Sequence, residues 1–259
     1  MYNFRNKSIY YNYVNNSNEL TLDDLNKYLP ALQKIDDMLV NIHKINEGVF
    51  YGLCQDGLEK IPDSSIDLII AEPPDRPINN LNNKVKKFTI NEYLEWNQKW
   101  INECFRILNK TGSIYIICDW KNSGMYQSLL NQKFNIQTRI SWRNKTKKLA
   151  KESVLIDYLS DIWFASKSDN YFINQNKDGE LTNFWSDIIN YQPDRCKRYP
   201  VDLIKRIVEI SSSKLNWVLD PFCRLGDIGA IVSESGRRFI GFEANKDKLL
   251  LSMKKIDRK

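Results

Sequence analysis

The sequence predicts an α/β fold, a mostly parallel sheet with helices on both faces. Two observations point there. From Val49 onward, short apolar runs bounded by turn residues alternate with amphipathic stretches of helical period, the pattern of strand–helix–strand units. The chain has 259 residues, 42% of them hydrophobic, enough for one such domain with decorations and too few for two.

Residues 1 to about 19 are rich in Asn, Tyr and Ser without periodicity and read as a loose arm. Thr21 and Asp24 have the spacing of a helix capping box. Pro30 suits the first turn of a second helix, expected to run to about Ile45 with Leu32, Ile35, Leu39 and Ile42 on one stripe. That stripe would pack on the chain's own domain or dock a second subunit. Residues 1–47 are therefore expected to form an arm and helical extension, and residues 48–259 the main domain. Within it, strands are expected at 66–71, 113–118, 136–142, 160–166, 216–219 and 238–242. The run Ile66–Ala71 ends in Glu72-Pro73-Pro74-Asp75, a buried strand running into a rigid turn. A helix over 90–108 places Tyr93, Trp96, Trp100, Cys104 and Ile107 on one apolar face, a pattern commoner in cores than in base-stacking platforms. Further helices are expected at 123–132, 200–212, 227–235 and 245–256. The polar residues 168–195 read as a loop or small insertion.

The net charge of +6 favours an anionic partner. No N-terminal apolar core suggests a signal peptide and no run is long enough to span a bilayer, so a cytoplasmic protein without membrane partner is expected, nuclear in a eukaryote. Five cysteines lack CxxC spacing and His43 is the single histidine, so neither disulfides, a metal site nor histidine catalysis is expected.

Several segments fall in a meaningful order. Glu72-Pro73-Pro74-Asp75 resembles the Asp-Pro-Pro-aromatic motif of the amino methyltransferases, which methylate an exocyclic nitrogen of adenine or cytosine. Val49 to Leu58 is similar to that family's opening, Trp142-Arg143 to its later Trp-Lys/Arg strand, and Asn183 to Ile188 to its Asp-x-Trp segment. Tyr199 to Ile204 is similar to the helix start that follows. Asp220-Pro221-Phe222-Cys223-Arg224-Leu225-Gly226 resembles the loop that binds S-adenosylmethionine, and Glu243 follows at the usual distance. The order is that of the permuted, beta-class-like enzymes of DNA methylation and restriction–modification. The resemblance implies a Rossmann-like, S-adenosylmethionine-dependent methyltransferase fold over roughly residues 49–257. Without it, Glu72 and Asp75 would be solvated strand-end acids, Asp220 a turn former and Glu243 a first-turn helix acid.

In that family the target base is flipped into a pocket, where the turn's carboxylate accepts hydrogen bonds from the amine and the aromatic residue stacks on the base. Here Asp75 offers no π-face. Glu72 is one methylene too long, and a misplacement of about 1 Å can cost roughly a hundredfold in rate. Arg224 stands where the family's loop has glycine, and would fill the pocket or pair with Asp220 or Glu243. The resemblance thus assigns Glu72, Pro73, Pro74 and Asp75 to a vestigial base pocket. It assigns Asp220, Phe222, Gly226 and Glu243, with Arg224 as plug, to a vestigial cofactor pocket. Arg143, Lys145, Lys147 and Lys148, with Lys197 and Arg198, flank the loops that face DNA in the family and are candidate phosphate contacts. Charge runs also occur as solvated faces.

Three functions fit. The first is the non-catalytic, DNA- or RNA-binding subunit of a heterodimer with an active methyltransferase of related fold, needing no cofactor. The second is an active atypical N6-adenine or N4-cytosine DNA methyltransferase using S-adenosylmethionine. The third is a stand-alone nucleic-acid-binding module.

Overall fold

The computed structural model describes residues 19–38, 40–41, 44–74, 78–81, 84–143, 159–174, 182–188 and 200–257. Helix α1 (Leu22–Tyr28) is followed by short strands β1 (Gln33–Lys34), β2 (Val40–Asn41) and β3 (Lys44–Ile45). The main domain begins with β4 (Gly48–Tyr51), α2 (Cys54–Lys60) and β5 (Ile66–Ala71). A hairpin, β6 (Ile78–Leu81) and β7 (Lys84–Lys87), precedes α3 (Ile90–Ile107). Then come β8 (Leu108–Cys118), α4 (Trp120–Leu130), β9 (Asn135–Arg143), β10 (Leu159–Ser166) and β11 (Phe184–Trp185). The chain closes with α5 (Val201–Ser211), β12 (Trp217–Asp220), α6 (Asp227–Glu234), β13 (Arg238–Glu243) and α7 (Lys246–Asp257).

Nine strands form one sheet in the order β1-β4-β13-β12-β5-β8-β10-β9-β11. All neighbouring pairs are parallel except those of β10, which runs against β8 and β9. The period-two alternation of each strand divides the core. Ile69 and Ala71 face α2, α3 and α4 together with Trp100, Cys104, Ile107 and Leu130. Leu68 and Ile70 face the other side with Leu203, Ile207, Val208, Ile231 and Leu249 of α5, α6 and α7. Helices therefore cover both faces. Two-sided burial explains why the strands read as near-continuous apolar runs.

Local signals account for the helices. Thr89 caps α3, accepting from the Glu92 N–H at 3.2 Å while the Thr89 N–H donates to the Glu92 carboxylate at 2.8 Å. Thr21 and Asp24 form the same box at α1. Helix α1 is tied to α7 through Lys27 and Tyr28 to Asp257, and Lys254 to Asp24.

The expected helix from Pro30 to Ile45 does not form. Gln33 and Lys34 instead pair with Phe50 and Tyr51 at the sheet edge, followed by a single 3-10 turn, Ile35–Asp37. Ile35 is buried so closely over Gly52 that a Cβ there would overlap it. Edge hydrogen bonds and this contact outweigh the weak helix propensity of a segment carrying Ile and paired Asp. Leu39, Ile42 and His43 lie outside the described residues. The sequence reading also missed β4, α2 and the β6–β7 hairpin. Among the described residues no helix is long and apolar enough to cross a membrane, and no group of three or more His, Cys, Asp or Glu is placed to hold a metal ion. Among the described residues Cys54, Cys104, Cys118 and Cys223 are buried, and none of them is in a disulfide.

Candidate active-site cleft

From β12 the chain passes through α6 to β13 on one side, and from β5 through α3 to β8 on the other. In an open α/β sheet this reversal leaves a crevice outside the carboxyl ends of the strands. Three carboxylates stand at those ends: Glu72 after β5, Asp220 ending β12 and Glu243 ending β13. The loop after β12 is held by the Cys223 N–H donating to the Phe242 carbonyl and the Gly226 N–H to the Cys223 carbonyl, both at 2.9 Å. Gly226 has φ +79°, and a Cβ on it would lie 2.8 Å from the Cβ of Ser252, so glycine is required where α6 starts against α7.

Arg224 has φ +51°, a conformation that costs a side-chain-bearing residue about 1–2 kcal/mol. From there its guanidinium forms an ion pair with Glu72. The sequence offered Asp220 or Glu243 as its partner. Asp220 is buried, with one carboxyl oxygen accepting the Phe222 N–H at 3.0 Å. Burial pushes its carboxyl up to about 8; the nearby Glu72 and Glu243 charges push the same way, while the Phe222 N–H and Arg224 oppose them. Glu243 is also raised by burial, against the pull of the Asn245 N–H at 2.7 Å, of Lys248 and of the Arg224 N–H. One guanidinium thus serves three crowded acids.

The Pro73-Pro74 turn is pinned from behind. The Tyr93 hydroxyl donates to the Pro74 carbonyl at 2.8 Å and meets the Tyr126 hydroxyl at 3.0 Å. Asn97 completes the group: its carbonyl oxygen accepts from Trp100 Nε1 at 3.0 Å and lies 3.1 Å from the Tyr126 hydroxyl. Phe222 packs against Trp96 at 5.5 Å and edge-on against Trp100 at 5.2 Å. The loop and α3 are therefore locked together.

An open cavity of about 440 Å3 lies between these elements. Glu72, Pro73, Pro74, Phe222, Arg224 and Glu243 line it, six of the nine residues that the sequence assigned to the two pockets. Arg224 forms one wall, and the space beside it stays open. Asp220 lines an adjoining cleft with Arg224. Sequence reasoning missed Trp96, assigned to the core face of α3, and Lys248, for which no sequence signal stood out. Asp75, Lys145, Lys147, Lys148, Lys197 and Arg198 lie outside the described residues, and Arg143 is described only by its backbone on β9. Of the other basic positions, Arg206 pairs with Asp187 and covers Trp185, Arg238 lies over Trp217, and Arg237 donates to the Ser212 carbonyl. These three have roles within the fold.

A sequence model of the DNA methylase family matches residues 66–254. The DNA adenine methyltransferase YhdJ of Escherichia coli K12 is 28% identical over 232 residues, covering 77% of this chain and 79% of its own. The type II methyltransferase M.HpaI of Haemophilus parainfluenzae is 25% identical over 223 residues, covering 77% and 71%. Among solved structures, the cytosine-N4-specific PvuII DNA methyltransferase superposes with a TM-score of 0.68 at 16% identity, over 81% of this chain and 86% of its own. The SAM complex of M1.HpyAVI does so with 0.61 at 17% identity, over 81% and 99%. The fold is that of the S-adenosylmethionine-dependent DNA methyltransferases, and the chain belongs to the DNA methylase family of N6-adenine and N4-cytosine enzymes.

Proposed function

We propose that the chain is a degenerate member of this family: a nucleic-acid-binding protein that does not methylate and acts as the non-catalytic subunit beside an active methyltransferase of related fold. The ion pair between Glu72 and Arg224 carries this reading. Methylation of an exocyclic amine needs a carboxylate that accepts the amine's hydrogen bonds and aims its lone pair. Glu72 instead accepts from a cation of its own chain. The lining also brings the Arg224 guanidinium, on the loop after β12, into the cleft that a sulfonium cation would have to share. Like charges brought together in a partly desolvated cleft repel strongly. The net charge of +6 supports retained affinity for nucleic acid.

The open cavity favours one second reading, an active atypical methyltransferase with Glu72 as its carboxylate. Both are tested by measuring labelled methyl incorporation into mixed-sequence DNA alongside gel-shift binding of the same DNA. Binding without incorporation, with co-purification of a second methyltransferase from the source cells, is expected. Incorporation that is lost in Glu72→Ala would establish the second reading. Binding with neither incorporation nor a partner would point to a stand-alone module.

A further inference from the structure

We propose that Trp120 and Lys121, past the carboxyl end of β8, form a stacking platform for an unpaired base of single-stranded nucleic acid, with Lys121 reaching the adjacent phosphate. This rests on the reading of the chain as a nucleic-acid-binding protein and places the contact outside the cleft.

Trp120 stands apart among the seven tryptophans of the chain. Trp100, Trp142, Trp163 and Trp185 are buried, and each donates its indole N–H to a group inside the fold. Trp96 and Trp217 are partly covered. Trp120 is 56% exposed at the first position of α4. It lies one turn before the buried Ser123 on the same side of the helix, past the end of β8, so the sheet does not cover it.

Its surroundings share this end of the sheet. Strand β10 runs against β8 with Asp161 opposite Cys118, which brings Leu159 to the level of Trp120. Leu159 is exposed and pairs with Arg143 of β9. On the other side of β8 lies β5, with Ala71 opposite Ile116, so the Pro73-Pro74 turn ends at the same level. A strand laid across this end can reach the platform and the mouth of the cleft together.

Chemistry selects the occupant. The Lys121 ammonium lies 6.0 Å from the centroid of the Trp120 ring, so a flat π-face and a cation are held side by side. A nucleotide presents the complement, a planar base and an anionic phosphate, and stacking on an aromatic ring tolerates any base. Bases within a duplex already stack on one another, so the platform favours an unpaired strand. The net charge of +6 acts in the same direction.

The test is fluorescence anisotropy of the full chain with a labelled mixed-sequence single-stranded DNA and with the duplex of the same sequence. Trp120→Ala is expected to weaken the single strand by about tenfold or more and to leave the duplex within about threefold. Trp120→Phe, which keeps a π-face, is expected to recover most of that loss. Lys121→Gln is expected to lower the slope of log affinity against log salt by about 0.7 on the single strand. The melting temperature should not move in any variant, because both side chains are exposed. Single-strand binding unaffected by Trp120→Ala, or an equal loss on both DNAs, would overturn the proposal and leave the nucleic-acid-binding reading standing. Loss of a co-purifying methyltransferase in Trp120→Ala, with single-strand affinity unchanged, would assign the surface to a protein partner instead. A wild type that binds neither DNA would overturn both.

Discussion

Arg224 allows two opposing contributions to be separated. Its φ of +51° costs about 1–2 kcal/mol for any residue with a Cβ, and glycine would avoid that cost. Glycine in turn loses about 0.5–1 kcal/mol more backbone entropy on folding. The net advantage of Arg224→Gly over Arg224→Ala is therefore about 0.5–1 kcal/mol. Both substitutions remove the ion pair with Glu72, a charge-assisted contact of about 1.5–3 kcal/mol with its acid side largely shielded from water. Arg224→Ala should thus lose about 1.5–3 kcal/mol in urea unfolding, and Arg224→Gly about 0.5–1 kcal/mol less than that. In thermal melts each kcal/mol corresponds to about 2–4 °C for a chain approaching this size. A Glu72→Gln, Arg224→Ala cycle should return a coupling of about 1–3 kcal/mol. Alanine as stable as glycine would refute the strain, and a coupling near zero would refute the pair.

Other consequences follow from the same structure. Leu215 is 72% exposed at φ +67°, so Leu215→Gly should raise stability by about 0.5–1 kcal/mol in urea unfolding; a loss would contradict the strain. Asp220 holds its proton to about pH 8 in the folded chain and releases it near 3.8 when unfolded. Its contribution is complete below about pH 4 and is lost as pH rises to about 8, with a slope of up to about 1.4 kcal/mol per unit. Asp220→Asn should flatten the stability profile across that window, and parallel profiles would refute the burial argument. Tyr93→Phe removes the hydroxyl that pins the Pro74 carbonyl and should cost about 1 kcal/mol, read by urea unfolding; an unchanged midpoint would exclude that role.

Much of the fold was legible because both faces of the sheet are covered. Ile66–Ala71 and the strand expected at 216–219 read as apolar runs with turn residues near their ends, and α3 announced itself through its aromatic face, while the Thr89–Glu92 capping box that starts it went unread. The segment after Pro30 misled because Ile35 satisfies a helical stripe and a sheet-edge contact equally well; its neighbour Gly52, which decided the outcome, lies in the next structural unit. Within the site, the acids and prolines were legible as strand-end residues. The choice of Glu72 by Arg224 was not, since it depends on the left-handed turn at Arg224 and on β5 lying directly beside β12. Lys248 joins the cavity only because α7 packs back along β13, a placement that its own sequence neighbourhood does not signal.

Whether Arg224 bars the methyl donor from the open cleft is tested most directly by calorimetric titration of S-adenosylmethionine into wild type and Arg224→Gly. No heat of binding is expected for wild type, and recovered binding for the glycine variant, where the guanidinium no longer stands on the loop. Micromolar binding to wild type, unchanged by the substitution, would contradict that expectation.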